Sequence, residues 1–79
     1  MSVQDFIDAT KGDCFVNVIF IGHKNRVVPI LYADAKEARD AKIEIRDELR
    51  SDGIRAKVKT FTLQEAYDSG YNVKSLIGA

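Results

Sequence analysis

The hydrophobic and polar positions of the chain follow different periods along its length, and each period predicts an element. A β-rich run that is largely apolar in both alternating sets covers residues 14–21 (CFVNVIFI), which predicts a central strand buried on both faces. A polar, hairpin-sized loop follows at 22–25, and a second strand is predicted at 26–32 (RVVPILY). Because Pro29 has no amide hydrogen to donate, this second strand is expected at an edge of the sheet.

A helical period begins after the second strand. Asp34 stands at an N-cap position with Glu37 three residues later, which predicts a capped helix running from residue 35 to Arg50 or Ser51. Gly53 supplies the left-handed residue that commonly ends helices. The apolar stripe expected to face the sheet consists of Ala38, Ala41, Ile45 and Leu49.

The segment at 54–61 (IRAKVKTF) alternates with the period of a half-buried strand. The set expected to face the core is Ile54, Ala56 and Val58. The set expected to face outward is Arg55, Lys57 and Lys59. A right-handed crossover through the helix would lay this strand against the free side of the first strand, which predicts an antiparallel sheet of order 2-1-3.

Both ends of the chain carry capping-box spacing. Ser2 with Asp5 predicts a short helix near the beginning, and Thr62 with Glu65 predicts another after the third strand, stopped at Gly70. We expect the terminal apolar residues to cover the sheet face opposite the main helix, formed in the first strand by Phe15, Ile19 and Ile21. The predicted fold is α+β: a three-stranded antiparallel sheet, one main helix on one face, and short terminal helical segments in a single domain, 1–79.

Composition and charge restrict the class of function. The chain has 79 residues, 46% hydrophobic and 30% charged, which is typical of one globular domain. Its 12 bases equal its 12 acids, so no global field attracts it to nucleic acid or to a membrane. The charges are uneven, however: residues 34–53 hold five bases and seven acids, whereas residues 54–61 hold three bases and no acid.

The chemistry-bearing residues indicate a protein without catalysis, metal or cofactor. Cys14 and His23 flank the first strand and would lie roughly 30 Å apart at about 3.3 Å per residue, too far for a catalytic dyad. Structural zinc needs about four Cys or His ligands, and no phosphate-binding glycine motif or EF-hand spacing occurs. A lone cysteine and the lack of a signal-like or long apolar segment predict a cytoplasmic protein with no membrane partner, either a monomer or a weak dimer.

The remaining candidate is a cationic surface. In the predicted topology the hairpin loop and the start of the third strand share one end of the sheet, which groups Arg55, Lys57, Lys59, Lys24 and Arg26 in one patch. Such a patch suits an acidic surface of a protein or, as the alternative, the phosphates of a nucleic acid. The sheet lacks a pair of exposed aromatic rings on which bases could stack, since Phe15 is the one obvious candidate. This favours a protein partner over a nucleic acid. Outward lysines that only protect an edge strand from self-association are a third explanation.

Part of the chain also resembles a known family. The segment VVPILYADAKEARDAK at 27–42, followed by Gly53 and by KVK at 57–59, is similar to the small RNA-polymerase-inhibiting protein of short-tailed coliphages. The resemblance implies a strand-strand-helix-strand fold and a phage-encoded regulator of the host cytoplasm. It further implies binding to the β′ jaw of bacterial RNA polymerase, with Lys57 and Lys59 as the critical bases.

Overall fold

A computed structural model of the chain describes residues 2–10 and 13–77, with side chains through residue 76. Over these residues the elements are α1 (Val3–Ala9), β1 (Phe15–Ile21), β2 (Lys24–Val27), α2 (Ala35–Ser51), β3 (Lys57–Thr62), α3 (Leu63–Asp68) and α4 (Lys74–Ile77). The three described strands form one antiparallel sheet of order β2-β1-β3. The predicted α+β class, strand order and main helix are therefore confirmed. No helix in the described ranges combines the length and the apolar character needed to cross a bilayer.

The second strand begins earlier than the prediction of 26–32. Gly22 adopts φ 59° in a two-residue turn, so pairing with β1 starts at Ile21 and Lys24 and continues to Val18 and Val27. A tight turn of this kind matches the twist of a hairpin and is favoured by a residue that tolerates positive φ. The predicted four-residue loop was wrong for this reason.

Pro29 interrupts the ladder of this edge strand, as expected from its missing amide hydrogen. The amide of Ile30 instead donates to the carbonyl of Val28 at 2.8 Å around the proline. Pairing resumes at the bridge between Phe15 and Tyr32, where the register has moved by two residues relative to β2. The edge position of Pro29 is confirmed, and the continuous strand predicted through residue 32 is not.

The main helix has the predicted bounds. The side chain of Asp34 accepts a 2.8 Å hydrogen bond from the amide of Lys36. At the other end Gly53 has φ 76°, and the amide of Ile54 donates to the carbonyl of Leu49 at 2.9 Å, which completes a Schellman cap. Residues 54–56 are used in leaving this cap, so β3 begins at Lys57, and Ile54 is 38% exposed instead of in the core.

The side chain of Asn17 identifies the sheet face that α2 covers. It is fully buried, and its Nδ2 donates to the carbonyl of Ala38 in α2 at 2.9 Å. The odd-numbered residues of β1, including Phe15 and Ile19, therefore face α2, and the even-numbered residues face the terminal segments. The expected assignment of the two faces was reversed, because Asn17 needs hydrogen-bond partners that α2 and Thr60 supply.

The terminal segments pack on the other face, called here the terminal face. Both predicted capping boxes are present, Ser2 with Asp5 in α1 and Thr62 with Glu65 in α3. The side-chain amide of Gln4 in α1 donates to that of Gln64 in α3 at 3.1 Å. The buried apolar cluster on this face consists of Val3, Ile7, Val16, Leu63, Ala66 and Val73. These short elements therefore enclose the main core.

Candidate functional site

The basic residues predicted to form a site are all exposed, but the sheet register separates them. In an antiparallel sheet, residues paired directly across strands point to the same face. Lys57 pairs with Phe20 on the terminal face, whereas Arg26 pairs with Ile19 on the α2 face. The register likewise gives Lys59 to the terminal face and Lys24 to the α2 face, and β2 and β3 are opposite edges of the sheet.

The predicted single patch is consequently divided in two. The division follows from the alternation of side chains along β1, because Arg26 pairs with Ile19 and Lys57 pairs with its neighbour Phe20, and adjacent residues of a strand point to opposite faces. Lys57 and Lys59 remain together with Arg55, which lies in the connection just before β3. Lys24 and Arg26 form a separate cationic pair on the far edge.

Two arginines that the sequence did not single out join the first group. Arg46 and Arg50 lie one turn apart near the end of α2, and together with Arg55 and Lys57 they line an open cleft of about 710 Å³. The other lining residues are Phe20, Gly22, Ile54 and Ala56. None of the described lining residues is acidic. We call this feature the β3 cleft: four cations around a mainly apolar floor.

The cations of the β3 cleft are largely free to meet an external anion. Between described side chains, the one ion pair is Arg46 with Asp47, at 3.6 Å and with both side chains well exposed to solvent. Exposed pairs of this kind contribute little and exchange readily. Guanidinium groups offer planar, forked donors that match carboxylates and phosphates. The arrangement can therefore hold an anionic group above an apolar surface.

An aromatic cluster adjoins the β3 cleft on the terminal face. The ring centroids of Phe20 and Phe61 are 6.5 Å apart, and that of Tyr71 lies 5.7 Å and 5.5 Å from these two rings. The Nζ of Lys59 lies 5.8 Å from the centroid of Phe20, within cation–π range. The sequence predicted no pair of exposed rings, and the rings grouped here are half-buried, with Phe61 and Tyr71 packed against the core cluster. The alternation Lys57, Lys59, Phe61 contains the missed signal, because it places Phe61 on the face of the two lysines.

The other reactive side chains lie apart from the β3 cleft. Cys14 is half-buried against the core cluster before β1, and His23 is exposed in the hairpin turn after it. Across residues 2–10 and 13–76, no three His, Cys, Asp or Glu side chains are grouped in a way that suits a metal ion. The β3 cleft is thus the arrangement with the clearest binding chemistry in the described chain. No family model, curated protein or solved structure matches this chain.

Proposed function

We propose that this chain is a non-enzymatic regulator that binds an acidic surface of a partner protein and occludes it. The observation that carries the proposal is the β3 cleft, where Arg46, Arg50, Arg55 and Lys57 surround an apolar floor with no acid among the described lining residues. Lys59 extends the cationic surface along β3. On the resemblance over about residues 26–60, the proposed setting is the cytoplasm of a phage-infected bacterium, and a subunit of RNA polymerase is the first candidate partner.

The cations and the apolar residues of the β3 cleft would contribute to the binding of a protein partner in different ways. Exposed cations steer an acidic partner and fix its orientation, but each contributes little affinity in water. Affinity in such interfaces comes mainly from a few well-packed apolar anchors. Ile54, 38% exposed, and the partly exposed ring of Phe20 offer that anchor at the floor of the β3 cleft.

The experiment that tests the proposal reverses charge on one face at a time. Lys57→Glu with Lys59→Glu changes the surface on the terminal face, and Lys24→Glu with Arg26→Glu makes the same charge change on the α2 face. Tagged protein and both variants are used to capture partners from bacterial lysate, identified by mass spectrometry, and binding of the partner is then titrated. We expect the first variant to weaken binding at least about tenfold and the second to change it far less.

Thermal melts followed by circular dichroism verify that both variants are folded. Equal losses in the two variants would mean that total charge, and not the surface around β3, determines binding. A partner retained at full affinity by Lys57→Glu with Lys59→Glu would contradict the proposed surface. Purified RNA polymerase, titrated in the same way, tests the first candidate partner directly.

The second candidate function is binding to a single-stranded nucleic acid, favoured by the aromatic cluster. The half-buried rings of Phe20 and Phe61 lie next to Lys57 and Lys59, and aromatic rings beside phosphate-binding cations are the combination that single-strand binders use. This function predicts that the affinity for a fluorescent oligonucleotide falls steeply between about 50 and about 200 mM salt, with a loss on Phe61→Leu. Affinity that is independent of salt would contradict it.

A further inference from the structure

The outer edge of β3 is unpaired, and the hydrogen bonds of the sheet show which of its backbone groups point outward. The amide of Phe15 donates to Tyr32 at 2.7 Å, and the carbonyl of Asn17 accepts from Val28 at 2.9 Å. Odd-numbered residues of β1 therefore bond toward the β2 side. Even-numbered residues bond toward β3, as the 2.9 Å bond from the amide of Leu63 to the carbonyl of Cys14 indicates.

The same alternation shows which backbone amides and carbonyls of β3 point into the sheet and which point outward. Lys57, Lys59 and Phe61 pair with even-numbered residues of β1, so their backbone groups point into the sheet. Val58 and Thr60 pair with Ile19 and Asn17, and their amides and carbonyls point away from it. Within the described ranges β1 is the one strand partner of β3. Val58 and Thr60 thus present a row of free donors and acceptors beside the β3 cleft.

We propose that the partner presents an extended acidic segment that adds to this edge as a further strand. The inference rests on the proposed function and specifies how the acidic partner is recognised. The backbone of the acidic segment pairs with Val58 and Thr60. The acidic side chains of that segment occupy alternate positions beside Lys57 and Lys59 on the terminal face. Main-chain hydrogen bonds supply affinity in this mode of recognition, and alternate side chains supply specificity.

The positive charge of Lys57 and Lys59 favours an acidic segment over a second copy of this chain at the outer edge of β3. A segment with acids at every second residue sets a carboxylate next to Lys57 and another next to Lys59, which stabilises cross-strand pairs. A second copy of this chain fits less well. Antiparallel pairing of β3 with itself about Val58 sets Lys57 of each copy opposite Lys59 of the other, and like charges directly opposite are destabilising. In this register the outward lysines therefore disfavour self-pairing and favour an acidic strand with the same geometry.

The β3 cleft extends the contact past the end of the strand. It lies at the Lys57 end of β3, where Arg55, Arg46 and Arg50 converge. A segment that continues beyond Lys57 carries its next acidic group to these guanidinium groups. The direction of the added strand determines whether that group precedes or follows the alternating acids.

The test uses short capped peptides in which glutamate and valine alternate. One derivative is N-methylated at every valine and another at every glutamate, which removes alternate backbone donors without changing charge. Only one of these sets points its amides toward β3 in a given strand direction. We expect one derivative to lose at least about tenfold in affinity and the other to bind as the parent does. Hydrogen exchange measured by NMR should slow at the amides of Val58 and Thr60 when the parent peptide binds.

Each outcome is informative. Sensitivity to valine methylation supports antiparallel addition, and sensitivity to glutamate methylation supports parallel addition. Equal affinity of both derivatives, unchanged exchange at Val58 and Thr60, or no binding of the parent peptide overturns strand addition. If all three peptides bind equally and Lys57→Glu with Lys59→Glu abolishes that binding, acidic recognition stands and only its mode is wrong. Self-association through this edge, detected by light scattering as a dimer that acidic peptide does not dissociate, also overturns it.

Discussion

The two faces of the sheet are covered by different kinds of structure. The terminal face is covered by short helices near the chain ends, yet it holds the buried apolar cluster that includes Val16, Leu63 and Val73. The α2 face is covered by a helix of 17 residues, of which Ala38 is the one fully buried member. The longest of the described elements is therefore not the one that buries the most apolar side chains.

The composition of α2 explains the difference. Its stripe begins with the small side chains of Ala38 and Ala41, while Ile45 and Leu49 are only half-buried. In place of a large apolar contact, the helix is tied to the sheet by the amide of Asn17, which also accepts a 2.7 Å hydrogen bond from the hydroxyl of Thr60. The α2 face therefore combines modest burial with a specific polar contact.

The largest effect should come from removing a core side chain of the terminal face. Leu63 is fully buried, so Leu63→Ala should lower the free energy of unfolding by about 2–5 kcal/mol through lost burial and a cavity. Leu49→Ala makes the same chemical change in half-buried surroundings on the α2 face and should cost about 1–2 kcal/mol. Urea unfolding followed by circular dichroism measures both. Equal losses would show that the two faces contribute alike.

The next effect concerns the polar contact of the α2 face. Asn17→Ala removes the partner of the Thr60 hydroxyl and one bond to α2 inside a fully buried site, which should cost about 1–3 kcal/mol. Combining it with Thr60→Val in a double-mutant cycle isolates the hydrogen bond between them. We expect the double variant to lose clearly less than the sum of the two single variants. Strict additivity would mean that the 2.7 Å bond contributes nothing to stability.

The features that the sequence predicted are those set by local signals. Pro29 identifies an edge, and Asp34 and Gly53 bound the main helix, because capping and ring geometry act within a few residues. The assignment of faces depends on where Asn17 finds partners, and both partners are distant in sequence. Apart from Asn17, β1 is apolar on both of its sides, so the hydrophobic pattern alone does not show which side faces α2.

The candidate site likewise has a part that local sequence signals predicted and a part that they did not. Alternation along β3 predicts that Lys57 and Lys59 are exposed on one face, since period 2 is a property of any strand. The convergence of Arg46 and Arg50 with Arg55 depends on how the last turns of α2 pack beside the end of β3. No spacing in the sequence encodes that contact. Arg26 and Lys57 are separated because their partners in β1, Ile19 and Phe20, are adjacent residues that point to opposite faces.

A smaller loss of stability is expected when a helix cap is removed, and it should differ between the caps of α3 and α2. In α3, Thr62 and Glu65 exchange two hydrogen bonds of 3.1 Å, so Thr62→Ala removes one and leaves its reciprocal partner loosely held. We expect a loss of about 1 kcal/mol. Asp34→Ala removes the single cap bond of α2 and should cost somewhat less. Thermal unfolding of both variants measures the difference, and a larger loss for Asp34→Ala would contradict the greater weight assigned to the terminal face.

The smallest effect is expected on the outer side of α2. Ile43 is 45% exposed, so Ile43→Lys should change the free energy of unfolding by no more than about 0.5 kcal/mol in either direction. Lysine forms helix slightly better than isoleucine, and its charge would lie one turn from Asp40 and Asp47 but also from Arg39 and Arg46, so the electrostatic contributions nearly cancel. Urea unfolding detects a larger change. A loss above about 1 kcal/mol would mean that Ile43 is covered, and that α2 buries apolar surface on both of its sides.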